Sequence, residues 1–183
     1  MKGRLFYIVG ASGVGKDSLI QYARERLADD DSVLFAHRYI TRAMSAKGEN
    51  HVALTESEFA LRERNGLFAL AWRSHGFRYG VGVEIDLWIE RACTVVVSGS
   101  REFLPQARAR YPDISVVWVS ARPQVLATRL RGRGRESGNE MIERLARNSR
   151  VKAAPPADAL HIRNEGSIEQ AGSELLDVLM SKR

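Results

Sequence analysis

The feature that most constrains this chain is a glycine-rich segment between two regular, mostly apolar elements. Residues 5–10 are largely apolar, which predicts a buried strand. Residues 17–27 carry apolar side chains on one side and charged side chains on the other, which predicts a helix. The joining segment has three glycines and ends in a lysine: Gly10-Ala11-Ser12-Gly13-Val14-Gly15-Lys16.

This arrangement of glycines and lysine is suited to binding phosphate groups. Glycines let backbone amides turn toward an anion, because no Cβ stands in the way. The helix that follows adds the partial positive charge of its N-terminus, and Lys16 adds a full one. The spacing Gly-x-x-x-x-Gly-Lys between a strand and a helix therefore predicts a P-loop that holds ATP through residues 10–16. Lys16 is the predicted catalytic cation of a phosphoryl transfer.

Asp17 departs from the usual pattern, in which a serine or threonine after the lysine ligates Mg²⁺. A carboxylate also ligates Mg²⁺, because this hard cation prefers oxygen. Asp17 is therefore the predicted metal ligand. Ser18 lies about 100° further round the helix, so it does not simply replace the missing hydroxyl. Both residues are counted among the nucleotide-binding candidates.

The charge distribution favours a small phosphorylated ligand over nucleic acid. The net charge is +6, but arginines concentrate within residues 122–150 and no aromatic residue is interleaved there to stack on bases. Guanidinium groups bind phosphate oxygens bidentately. No apolar run is long enough for a transmembrane helix, and the single cysteine suits a reducing compartment. A cytoplasmic protein with no nucleic-acid or membrane partner is expected.

Strands and helices alternate along the rest of the chain, which predicts an α/β fold with a parallel, helix-covered sheet. Further strands are predicted at residues 33–36, 94–97, 115–119 and 161–162. Helices are predicted at residues 55–65, 83–91, 102–111, 124–130, 139–148 and 167–180. Residues 67–72 and 78–81 predict a hairpin, and residues 43–51 a loop.

Several blocks occur in the order found in guanylate kinases, and the resemblance spans nearly the whole chain. The blocks are Arg38-Tyr39-Ile40-Thr41-Arg42, Gly48-Glu49, Tyr79-Gly80, Arg129-Leu130-Arg131-Gly132-Arg133-Gly134 and Arg144-Leu145. The resemblance implies a single guanylate-kinase-like P-loop NTPase domain. Its core would comprise residues 1–37, 82–131 and 151–183. An acceptor-binding lobe would comprise residues 38–81, and an arginine-rich lid residues 132–150.

The resemblance also implies roles for individual residues. Arg38, Arg42 and Tyr79 would bind the acceptor phosphate. Arg129 and Asn164 would contact ATP, the asparagine at its adenine. Arg133 and Arg144 would be catalytic lid residues.

Further acceptor-binding candidates follow from position. Glu49 and His51 lie in the expected acceptor-binding lobe. Glu84 and Asp86 follow the predicted hairpin and are candidates to hold Mg²⁺ or the ribose hydroxyls. Arg101 follows a core strand at its carboxyl end, where ligands gather in open α/β sheets.

The residues that read guanine in guanylate kinases are not conserved in this chain. Counting back from Tyr79-Gly80, the guanine-binding glutamate is replaced by Leu70, and the hydroxyl residue after the hairpin glycine by Val81. The acidic pair after the middle strand becomes Val97-Ser98-Gly99-Ser100. Apolar side chains leave guanine's donors unpaired, so guanosine monophosphate is a poor acceptor.

Longer blocks resemble the ribose 1,5-bisphosphate phosphokinases, a guanylate-kinase-like family of phosphonate breakdown. They are Gly15-Lys16-Asp17-Ser18, Gly48-Glu49-Asn50-His51, Tyr79-Gly80-Val81-Gly82-Val83-Glu84-Ile85-Asp86-Leu87-Trp88 and Gly99-Ser100-Arg101. This resemblance implies transfer of phosphate from ATP, with Mg²⁺, to ribose 1,5-bisphosphate. The acceptor oxygen would already be anionic and need no general base.

Three alternatives remain open on the sequence alone. They are a nucleoside monophosphate kinase with altered base preference, a non-catalytic guanylate-kinase-like binding module and a basic nucleic-acid-binding protein. The sequence leaves the oligomeric state open, a homodimer included.

Overall fold

The computed structural model describes residues 2–43, 50–132 and 154–181. Five strands form a parallel sheet: β1 (Arg4–Gly10), β2 (Val33–Phe35), β7 (Thr94–Ser98), β8 (Ser115–Ser120) and β9 (Leu160–Arg163). Their order across the sheet is β2-β7-β1-β8-β9. The first strand thus lies at the centre, and the loop that follows it emerges at the middle of the sheet's carboxyl edge.

Helices cover both faces of this sheet, because its central strands are apolar on both faces. They are α1 (Lys16–Arg26), α3 (Glu84–Glu90), α4 (Leu104–Arg110), α5 (Pro123–Gly132) and α6 (Ile168–Met180). Side chains of β1 alternate between two hydrophobic clusters. Tyr7 and Val9 pack toward α3 and α4, whereas Phe6 and Ile8 pack toward α1 and α6.

A second sheet is built from the middle of the chain. Its strands are β3 (Arg38–Ile40), β4 (His51–Ala53), β5 (Phe68–Ser74) and β6 (Phe77–Gly82), in the order β4-β3-β6-β5. Helix α2 (Glu56–Arg64) precedes β5 and begins with the predicted capping box, in which Thr55 and Glu58 bond reciprocally. His75 and Gly76 both have positive φ and close the predicted β5–β6 hairpin.

The structure confirms the α/β fold, the parallel core sheet and its helical cover. One expectation is wrong: residues 43–51 were expected to be a loop throughout, but His51 begins β4, which pairs in parallel with β3. The strand is three residues long, so it has too little periodicity to be recognised without its partner. The helix expected at residues 139–148 and nearly all of the expected lid lie outside the described residues. The expected division into core, lobe and lid stays a prediction.

Candidate functional site

The P-loop runs from the end of β1 to the start of α1 with the geometry that its glycines allow. Gly13 and Gly15 have φ values of 83° and 93°, which L side chains rarely adopt. A Cβ on Gly10 would lie 2.4 Å from the carbonyl oxygen of Val119, so the loop passes directly against β8. The Nζ of Lys16 donates to the carbonyl oxygens of Gly10 and Ala11 at 3.1 and 3.4 Å, which holds the ammonium group over the loop.

On the β8–β9 side, two side chains donate to the main chain of the P-loop. Asn164, buried after β9, donates through Nδ2 to the carbonyl oxygen of Val14 at 2.8 Å. Arg129 of α5 donates through Nη1 to the same oxygen at 3.3 Å and to the carbonyl oxygen of Asn164 at 2.8 Å. The two residues that were expected to contact ATP therefore both lie against the loop and hold its shape.

On the β7–β2 side, Asp17 is the centre of a group of charged and polar side chains. Its Oδ1 accepts from Nη2 of Arg38 at 2.8 Å and from Oγ of Ser98 at 3.1 Å. Arg38 is buried at the start of β3, whereas Asp17 is partly exposed in the first turn of α1. The carboxylate next to Lys16 thus bonds directly to a predicted acceptor-binding arginine.

Tyr7 fixes the turn that carries Arg101. Its hydroxyl accepts a hydrogen bond from the backbone N–H of Ser100 at 3.0 Å and donates one to the carbonyl oxygen of Ser100 at 3.4 Å. Gly99 lies against the Tyr7 ring, where a Cβ would come within 2.1 Å of Cζ. Burial raises the pKa of Tyr7 to about 12, so the hydroxyl stays protonated at neutral pH. The guanidinium of Arg101 is partly buried beyond this turn, which lowers its pKa from the ordinary value.

The remaining described candidates lie in or beside the second sheet. His51 is buried next to Arg38 in the β3–β4 register. Tyr79 is buried, and its ring stacks on Trp72 with centroids 5.5 Å apart. The guanidinium of Arg42 lies 5.9 Å from the ring centroid of Phe77, and Glu84 is half-buried at the start of α3.

Five further residues were considered for the site: two are described by the structure, and three are not. Ser18 is described and exposed on α1. Glu49, Arg133 and Arg144 lie outside the described residues. Asp86, considered for Mg²⁺ or ribose hydroxyls, accepts instead from Arg110 and from the hydroxyl of Tyr111, at 2.8 and 2.5 Å. These partners belong to α4 and the residue that follows it, so Asp86 joins two helices of the core.

Leu70 and Val81 face each other across the β5–β6 hairpin. Both are buried within the hydrophobic cluster that contains Tyr7 and Val97. The positions where guanylate kinases were expected to read guanine thus belong to the core of this protein. They offer no hydrogen-bond acceptor to a base.

Sequence reasoning missed the roles of Ser98 and Tyr7 in the site. Tyr7 lies within the apolar run of β1 and was taken as part of that strand, whereas Ser98, the last residue of β7, was considered only as one of the residues that replace the acidic pair of guanylate kinases. The position of Ser98 at the carboxyl end of a core strand, where ligands bind in open α/β sheets, could have identified it as a site residue. For Tyr7 the signal was a hydroxyl group inside a buried strand, which requires a hydrogen-bond partner.

The residues present fit a magnesium ion delivered with a nucleotide. Mg²⁺ at such sites is held by one or two carboxylates together with phosphate oxygens. Asp17 supplies a carboxylate beside Lys16. Among the described residues no cluster of three or more histidine, cysteine or acidic side chains could hold a metal by itself.

The fold and this site define a P-loop kinase of the guanylate kinase fold. The structure superimposes on the crystal structure of guanylate kinase from Anaplasma phagocytophilum with a TM-score of 0.71, over 97% of this chain and 85% of the other, at 15% sequence identity. At that identity the likeness extends to the fold alone. No helix in the described residues is long and apolar enough to cross a membrane.

Sequence relatives narrow the class to one family, although no family model matches the chain. It is 52% identical, over 97% of its length and 93% of the relative's, to a Thiobacillus denitrificans protein named ribose 1,5-bisphosphate phosphokinase PhnN. Proteins of the same name from Chromobacterium violaceum and Burkholderia mallei are 51% and 53% identical, over 99% and 96% of the chain and 96% and 95% of their own lengths. The chain belongs to the ribose 1,5-bisphosphate phosphokinase family.

Proposed function

We propose that this protein transfers the terminal phosphoryl group of ATP to the 1-phosphate of ribose 1,5-bisphosphate, giving 5-phosphoribosyl 1-diphosphate and ADP. Membership of the family supports the substrate. Within the site, the observation that carries the proposal is the buried Leu70–Val81 pair, because it removes base recognition. Arg38 and Arg42, the arginines that would bind the acceptor phosphate, lie in the same lobe as this pair.

The reaction needs little covalent chemistry from the protein. An anionic oxygen of the 1-phosphate attacks the γ-phosphorus, and the bond to the bridging oxygen of the β-phosphate breaks, so that ADP leaves. Because the attacking oxygen is already ionised, no general base is required. Catalysis then rests on positioning and on neutralising charge.

The residues of the site divide these tasks. The P-loop amides and Lys16 bind the phosphates of ATP, and the N-terminus of α1 adds its partial positive charge. Arg38, Arg42, Tyr79 and Arg101 bind the acceptor, with Glu49, His51 and Glu84 completing its surroundings. Arg129 and Asn164 support the nucleotide side, and Arg133 and Arg144 neutralise the transferred phosphoryl group.

Mg²⁺ would enter with ATP, and Asp17 would contact it directly or through a water molecule. A bound Mg²⁺ neutralises the β- and γ-phosphate oxygens during transfer. Turnover measured against Mg²⁺ concentration in wild type and Asp17→Ala tests this role. An unchanged Mg²⁺ dependence in the variant would contradict it.

The substrate is tested by comparing acceptors under one set of conditions. ADP release is measured with ribose 1,5-bisphosphate and with GMP, AMP and CMP, and ³¹P NMR identifies the diphosphate product. We expect turnover with the sugar bisphosphate and at least about 100-fold lower kcat/KM with GMP, because guanine's polar groups would go unpaired. Efficient phosphorylation of GMP would overturn the proposal in favour of a nucleoside monophosphate kinase.

A further inference from the structure

A cavity opens beside the Asp17–Arg38 pair, at the carboxyl ends of β2 and β7. Its polar lining consists of Asp17, Gln21, Arg24, Arg38, Asn50 and Ser98. The carboxyl edge of a parallel sheet is where ligands bind in open α/β folds. Two arginines, two amides, a hydroxyl and a carboxylate form a lining suited to an anionic, hydroxylated molecule.

One face of α1 forms the long wall of this cavity. Asp17, Gln21 and Arg24 are spaced i, i+4 and i+7, so they lie on the same side of the helix. Seven residues of helix place the backbone of Arg24 about 10.5 Å beyond that of Asp17. Side chains on a helix lean toward its N-terminus, which brings the Arg24 guanidinium back toward Asp17.

Arg24 has no carboxylate partner within the part of the chain that the structure describes, and the same is true of Arg64, Arg73 and Arg91; of these, Arg24 lines the cavity. Arg108, Arg110 and Arg122 bond to Asp158, Asp86 and Glu165 at 2.7, 2.8 and 2.9 Å. Arg26, in the same turn as Arg24, stacks 3.4 Å from the Tyr22 ring centroid instead. Arg24 is partly buried in the cavity wall, so its charge is available to a ligand there.

An acceptor with two phosphates needs two separate cationic groups. The phosphorus atoms of a pentose 1,5-bisphosphate lie roughly 8 Å apart when the connecting bonds are extended. The backbones of Arg24 and Asp17 are about 10.5 Å apart along the helix, and the lean of the Arg24 side chain toward the N-terminus shortens the span between the two cationic groups. A single guanidinium could not bind both phosphates at that separation.

We propose that Arg24 binds the 5-phosphate of the acceptor, with Gln21 and Asn50 beside it, while Arg38 binds the reacting 1-phosphate. The inference rests on the proposed function, since it names the part of the same site that recognises the non-reacting end of the substrate. The orientation follows from the chain: Arg38 lies next to Asp17, which adjoins the P-loop lysine, and Arg24 lies two turns of helix further away. Only a phosphate near Arg38 can approach the γ-phosphate.

The test compares Arg24→Gln with Arg26→Gln, which removes the same charge from the same turn of helix outside the cavity. In Arg24→Gln we expect the KM for ribose 1,5-bisphosphate to rise about 10- to 100-fold, since a charge-assisted phosphate contact is lost. The KM for ATP and the kcat should change less than about threefold. Arg26→Gln should behave as wild type, and thermal unfolding should show both variants folded.

Calorimetric titration with single phosphates distinguishes this contact from a general disturbance of the site. Arg24→Gln should weaken binding of ribose 5-phosphate and leave binding of ribose 1-phosphate unchanged. Arg24→Lys, which retains the charge, should restore part of the lost affinity. Equal weakening for both sugars, or an unchanged KM for the bisphosphate, would overturn the assignment of Arg24.

Failure of the inference is distinguishable from failure of the proposed function. If wild type does not turn over ribose 1,5-bisphosphate, the proposed function is wrong, whatever the variants do. If wild type turns it over and Arg24→Gln keeps the wild-type KM, the function stands and Arg24 is only a surface residue.

Discussion

The two sides of the P-loop are held by different kinds of interaction. On the β8–β9 side, Asn164 and Arg129 donate to a main-chain carbonyl of the loop, so the contact depends on backbone shape. On the β7–β2 side, Asp17, Arg38 and Ser98 bond through their side chains. A contact to the backbone survives substitution of the residue contacted, whereas a contact between side chains requires both partners.

The two kinds of interaction suit two different tasks: binding the phosphates of a nucleotide and positioning a particular acceptor. Support of the loop's backbone serves any nucleotide whose phosphates occupy it. The side-chain group around Asp17 fixes the position of Arg38, the arginine that we propose binds the acceptor, so we expect it to influence which acceptor is positioned for transfer. We expect substitutions on the β8–β9 side to affect stability and ATP binding, and those on the β7–β2 side to affect the acceptor.

The largest expected effect is that of Lys16, which adjoins both sides. Lys16→Met should lower kcat at least about 100-fold, because a charge that stabilises the transferred phosphoryl group is lost. Steady-state kinetics with saturating ATP and acceptor measure it. Lys2→Met, at an exposed position near the N-terminus, is the matched control. A loss of less than tenfold in Lys16→Met would show that the P-loop lysine is not a catalytic group.

Asp17→Ser tests the β7–β2 side by introducing the usual P-loop residue. Without the carboxylate, Arg38 loses a charge-assisted hydrogen bond, so we expect the KM for the acceptor to rise about 10-fold or more. The KM for ATP should change much less at saturating Mg²⁺.

Asp31→Ser, which makes the same substitution at an exposed aspartate beyond the end of α1, serves as the control for Asp17→Ser. If Asp17→Ser raised the KM for ATP and not that for the acceptor, Asp17 would belong functionally with the nucleotide side.

Asn164→Ala tests the β8–β9 side. Loss of its hydrogen bond to Val14 should lower the free energy of unfolding by about 1 kcal/mol, since Arg129 still donates to the same oxygen. The KM for ATP should rise severalfold while the KM for the acceptor stays near wild type. Urea unfolding and initial-rate kinetics measure the two effects.

The control for Asn164→Ala is Asn65→Ala, because Asn65 donates to the carbonyl oxygen of Leu61 at the same distance of 2.8 Å in an exposed position. Equal losses of stability in both variants would show that burial against the P-loop adds nothing.

The smallest effect is expected for Tyr7→Phe, and it depends on pH. The pKa of Tyr7 is raised to about 12 by burial, against about 10 in an unfolded chain, so the folded state holds the proton more tightly. This stabilisation is complete below pH 10 and is lost as the pH rises through 12. Tyr7→Phe should therefore flatten the fall in unfolding free energy between pH 10 and pH 12. An unchanged pH profile would contradict the burial of an ionisable hydroxyl at this position.

Local patterns were sufficient for most of the elements and for the loop. The strand before Gly10, the helix after Lys16 and the capping box at Thr55 depend on residues within a few positions of one another, and the structure has all three. Strand β4 was missed because a three-residue strand is stabilised mainly by its partner. The acceptor-binding roles expected for Arg42, His51 and Tyr79 stay predictions.

Local sequence patterns establish a P-loop between a strand and a helix, an α/β fold and an unusual aspartate after the lysine. The contacts of that aspartate follow from the three-dimensional fold, because Arg38 and Ser98 lie 21 and 81 positions away along the chain. The same holds for Asn164, which is 150 positions from Val14. Such contacts follow from the order β2-β7-β1-β8-β9, which brings the ends of distant strands to one edge of the sheet. Periodicity and spacing act over a few residues and carry no information about which distant strands become neighbours.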